Sequence, residues 1–159
     1  MSSLSVKIDL SGLEHGLHLI EGIAKAPKYE LMDGIGRLVQ EQTRYRIESE
    51  KTSPAGEAWK PNAQGSSILF QSGALAQSID YAAADTSVEV GSGIIYARIH
   101  QEGGKIVPKN GNALVFMMGN HLVQVKSVTM PARPFIGLSA ANQNDILEAV
   151  TDWVGRLLQ

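Results

Sequence analysis

The chain has 159 residues, 43% of them hydrophobic and 19% charged, enough for one folded domain with a sizeable core. Fourteen basic against sixteen acidic residues leave a net charge of -2, which argues against a surface devoted to nucleic-acid phosphates. Cysteine is absent, and with it disulfides, thiol nucleophiles and thiolate zinc sites, so the fold must hold by packing alone.

In chain order, Leu4, Val6, Ile8 and Leu10 alternate with polar residues as a strand with one buried face does. The first nine residues lack a signal-peptide pattern, and no segment approaches a membrane span, so an intracellular protein is expected. Ser11 and Glu14 form a capping box that starts a helix to about Lys25, with Leu13, Leu17, Ile20 and Ala24 at helical spacing. Pro27 precedes a second, longer helix striped by Leu31, Ile35, Leu38 and Tyr45 and ending near Ser49. Gly34 and Gly36 weaken it as a helix and point to a close packing contact. Because no strand precedes G-I-G-R-L-V and Val39 holds the third glycine position, the run is not a dinucleotide fingerprint.

From Glu50 to Ser67 the chain reads as a long loop, with Trp59 its only large apolar anchor. Ser72 caps a short helix carrying Leu75; strands follow from Ile79 and over Ser87 to Gly91. A second short helix, Ile94 to Gln101, closes at Gly103 and Gly104, and Lys105 to Val107 forms a short strand. Ala113 to Met118 and His121 to Val128 flank Gly119 and Asn120 as a hairpin. Ser139 opens a final amphipathic helix over residues 139–158, striped by Ile146, Leu147, Val150, Trp153, Val154, Leu157 and Leu158. The expected fold is a single α+β domain over residues 1–159: a mostly antiparallel sheet with three or four helices beside it and long loops.

Candidates for chemistry are sparse. Glu14, His15, His18 and Glu21 share a helical face but fit no zinc motif, and a solvated polar face accounts for them. His100 and His121 stand alone, G-x-S-x-G is absent, and no acidic pair is forced together, so no catalytic, cofactor or metal residue is assigned. Arg44, Arg46, Lys51 and Lys60 form a basic cluster interrupted by Glu48, Glu50 and Glu57, which reads as a solvated helix end. Met130 to Leu138 stands out because Pro131 and Pro134 hold the backbone extended while Phe135, Ile136 and Leu138 stay apolar. It either fastens the last helix as a strap or presents Arg133 and Phe135 to a neighbour.

Four segments, in order, carry a resemblance to the phage virion morphogenesis family, the tail-completion proteins of Mu-like and P2-like phages. They are Ser53 to Pro61, a Pro-Gly loop ending in Trp; Ile68 to Leu75, with an L-x-x-S-G-x-L turn; Tyr96 to Gly104, a Y-A-x-I-H-Q-x-G-G helix end; and the arginine-proline-phenylalanine strap. Ser53 stands where an acidic residue is common and Glu102 where an aromatic is common, and the stretch Asn62 to Ser67 is short.

The resemblance implies a non-enzymatic structural protein of the virion tail or neck, assembled in the host cytoplasm. It would act like a tail terminator, as a homo-hexameric ring that caps the head-proximal end of the tail, touches the tail tube or sheath, and offers the head connector a docking surface. DNA would pass through its lumen without specific binding. The interface candidates that follow are Trp59, Lys60, Pro61, Arg98, His100, Gly103, Gly104, Arg133, Pro134 and Phe135. The other reading is an assembly chaperone or binding module absent from the mature virion.

Overall fold

The computed structural model describes residues 11–159; the expected first strand and the capping of the first helix by Ser11 lie outside what it describes. Helix α1 covers Ser11–Lys25 and α2 covers Tyr29–Tyr45. The face that α2 buries is Gly36, Val39 and Thr43, rotated from the expected stripe: Leu31, Ile35 and Leu38 are half-buried and Tyr45 is exposed. Gly36 explains the rotation. A Cβ there would overlap the Tyr81 ring, so this glycine sets how closely the helix approaches the neighbouring strand, whereas Gly34 faces open space.

A single π-helical turn, Arg46–Glu50, extends α2 and turns both Arg46 and Ile47 inward before Lys51 ends it in the left-handed region at φ 58°. Short helix α3 (Ala74–Gln77) leads to β1 (Ile79–Ala83), which pairs antiparallel with β2 (Val88–Ser92) in the register Tyr81 opposite Val90. Gln40 Nε2 and Arg44 Nη2 both donate to the Ile79 carbonyl, at 2.8 and 2.9 Å, and lock this hairpin onto α2.

Helix α4 (Ala97–Glu102) runs into β3 (Gly104–Ile106), whose partner is β6 (Val128–Met130), twenty-odd residues later. Between them lies the hairpin of β4 (Leu114–Met118) and β5 (His121–Val125), turned by Gly119 at φ 62°. Helix α5 (Ala140–Leu157) closes the chain.

The architecture is α+β with antiparallel pairing, but among the described residues the strands form three separate two-stranded sheets and the helices number five. Continuous sheet is replaced by loops and helices packed around one cluster of Ile47, Trp59, Leu75, Ala76, Ile79, Ala97 and Phe135. Helix α1 departs from expectation: Leu13, Leu17 and Ile20 face solvent, although the helix touches α5.

Candidate functional site

The four segments singled out in the sequence converge on one place. In the loop after α2, a bridge between Thr52 and Ala58 and a bond from Ser53 N to Glu57 O close a tight turn around Pro54 and Gly56. The turn delivers Trp59 into the core, where its Nε1 donates to Pro134 O at 3.0 Å. The long loop expected here, with Trp59 as its anchor, is thus closed by its own backbone bonds and pinned by Trp59.

The strap Pro131 to Leu138 crosses directly above. Two of its residues lack an N–H, and three of the others find acceptors on α4: Arg133 N donates to His100 O at 2.8 Å, and Phe135 N and Ile136 N both donate to Gln101 Oε1. Gln101 Nε2 returns a bond to Ile136 O. The strap thus pairs with the side chain and end of α4 rather than with a strand. Gly103 makes this possible, since a Cβ there would lie 2.6 Å from Ala132 N.

Two buried arginines fasten the ends. Arg133 donates through Nε to Lys60 O and through Nη2 to Pro61 O, tying strap to loop. Arg46 donates through Nη1 to Phe135 O and Gly137 O and through Nη2 to Asn142 Oδ1. Asn142 is also half of the cap of α5: Ser139 Oγ accepts from Asn142 N, and Asn142 Oδ1 accepts from Ser139 N. Burial disfavours the charge on both guanidiniums, and in Arg46 Glu50 at 3.5 Å partly offsets that.

Beside the strap lies an open cavity of about 360 Å³, lined among others by Asn62, Leu69, Gly73, Tyr96, His100 and Arg133. Tyr96 and His100 meet edge to face, with ring centroids 5.8 Å apart. Burial, and then the Arg133 charge, push the His100 pKa below its ordinary value and favour the neutral ring. His100 Nδ1 and Asn62 Oδ1 are buried without a partner. Among the described residues no group of three or more His, Asp or Glu is arranged to hold a metal.

Most of the expected interface residues are spent inside the chain. Trp59, Arg133 and Phe135 are buried, His100, Gly103 and Pro134 are partly buried beside them, and all six belong to the fastening of the strap. Lys60, Pro61, Arg98 and Gly104 are exposed, and Arg98 pairs only with Glu102. The basic cluster also dissolves: Arg46 is buried, and Arg44 and Lys51 donate to the carbonyls of Ile79, Ile47 and Ile68. Sequence reasoning missed Arg46, Gln101 and Asn142 as partners of the strap. The available signal was the buried spacing on α2, which runs Gly36, Val39, Thr43 and on to Arg46.

A family model described as the phage virion morphogenesis family matches residues 8–155. The chain belongs to this family. The match takes in all four converging segments, so the knot of loop, helix end and strap lies within the family's domain. No curated protein and no solved structure matches the chain. Membership of the family points to a bacteriophage structural protein with a role in virion assembly. Among the described residues, no helix is long and apolar enough to cross a membrane.

Proposed function

We propose that the chain is a tail-completion subunit of the head-to-tail junction, acting as a homo-hexameric ring on the head-proximal end of the tail. The ring stops further growth of the tail and offers the head connector a docking surface, while DNA passes through its lumen. The observation that carries this reading is the family match over residues 8–155, which takes in the knot of loop, helix end and strap. Such a knot holds loops in fixed positions, as a subunit with two different contact faces requires. Lys60, Pro61, Arg98 and Gly104 are the expected interface residues that the knot leaves exposed to a neighbour. A net charge of -2 suits a conduit in which DNA slides without sticking.

Particles assembled without the protein test the reading. Tails that do not join heads, together with the protein's presence in purified virions by mass spectrometry, are expected. Normal joining without it would overturn the proposal, and its absence from virions that need it would favour the transient chaperone.

A further inference from the structure

Among the described residues, two apolar surfaces are left uncovered. On the β4–β5 hairpin, Val115, Met117 and Leu122 are 57%, 56% and 70% exposed, and Phe116 and Met118, which alternate with them along β4, are exposed too. Since successive strand residues point to opposite faces, Phe116 and Met118 line a cleft against Pro61, Asn62 and Arg133, while the face of Val115, Met117 and Leu122 is open. On α1 the uncovered ridge is Leu13, Leu17 and Ile20. The open face of the arm presents on the order of 300 Å² of apolar side chain and the ridge about as much, each the size of a large patch on a soluble monomer. Joined, they would supply over a third of a standard interface of roughly 1,600 Å², a fitting share for an apolar centre within a polar rim.

Charge is divided in the same way. From Gly103 to Asn144 there are four basic residues and no acidic one; Arg133 is buried in the strap, which leaves Lys105, Lys109 and Lys126 exposed, and the rest of the chain holds ten basic against sixteen acidic. Glu14 and Glu21 flank the α1 ridge, Glu21 sharing an ion pair with exposed Lys25 at 3.5 Å, and the touching helix α5 adds exposed Asp145, Glu148 and Asp152. One molecule therefore carries both halves of a complementary pair, a cationic apolar arm and an acidic apolar ridge. This favours a second copy over any other occupant.

We propose that the β4–β5 arm of one copy seats on the α1 ridge of the next, in a head-to-tail contact between two different faces. Such a contact closes into a ring when its rotation allows. The flexible side chains of Met117 and Met118 suit the arm to adapt to a helical ridge. The inference rests on the self-association proposed above and specifies the surfaces that make it.

The absence of native cysteine makes a cross-linking test clean. Leu17→Cys and Leu122→Cys are made separately at exposed positions, mixed, and joined with a short bis-maleimide. The expected product is a dimer containing one of each, with none from Leu122→Cys alone, and the double variant should give a ladder ending at the ring number. Lys109→Glu with Lys126→Glu should weaken association about tenfold by sedimentation, and Glu14→Lys with Glu21→Lys should restore it. An oligomeric wild type that yields no mixed cross-link, or cross-links only through Leu122→Cys to itself, overturns the arm-to-ridge contact and leaves self-association standing. A wild type that is monomeric at every concentration and within virions overturns both.

Discussion

Arg46 and Phe135, 89 residues apart, meet where the buried guanidinium donates to the Phe135 carbonyl at 3.0 Å. The same side chain reaches Gly137 O and Asn142 Oδ1, so one residue at the end of α2 fixes the strap and the start of α5 together. Removing it would orphan the Phe135 and Gly137 carbonyls and take from Asn142 Oδ1 one of its two donors. Arg46→Met is expected to cost at least about 3 kcal/mol, and Arg46→Lys to recover little, because a single ammonium on a flexible stem cannot reproduce the planar fork. Urea unfolding of the three proteins measures both.

Trp59 separates packing from hydrogen bonding. Trp59→Phe keeps a ring in the core but leaves Pro134 O without its donor, and should cost about 1–2 kcal/mol. Trp59→Ala also empties a buried site and should cost about 3–5 kcal/mol. Thermal melts followed by circular dichroism check the order of the two.

Gly34 and Gly36, two residues apart in one helix, should answer the same substitution with opposite signs. Gly34→Ala meets nothing within 4 Å and should stabilise by about 0.5–1 kcal/mol through helix propensity. Gly36→Ala drives its methyl into the Tyr81 ring and should lose about 1–3 kcal/mol. If both variants gained stability, the close approach of α2 to β1 would be refuted.

His100 predicts a dependence on pH. Its folded-state pKa lies below the ordinary value because of burial and then Arg133, so on acidification the unfolded chain takes up the proton first. The stability from the neutral ring is complete above the unfolded value of about 6.5 and is lost as pH falls through it toward the folded value. His100→Gln should therefore flatten the difference between unfolding free energies measured at pH 7.5 and 5. An unchanged slope in the variant would show that other groups carry it.

Local rules determined much of this protein from the sequence alone. The two-residue turn at Gly119 and Asn120, the short helix stopping at Gly103, and the Ser139 start of the last helix follow from turn chemistry, left-handed glycine and capping, which act within a few residues. The spaced segments also carried the family.

Tertiary structure decided what depends on partners far apart in the chain. Arg46 looked like one member of a solvated basic cluster until its three acceptors, about ninety residues later, took it inside. Arg133 and Phe135 could have faced a neighbour, and the loop carbonyls of Lys60 and Pro61 and the side chain of Gln101 turned the strap inward instead. The same limit applied in reverse to α1, whose apolar spacing is that of a buried face although Leu13, Leu17 and Ile20 face outward. Periodicity specifies that a helix has an apolar side; which surface covers that side is a property of the assembled chain.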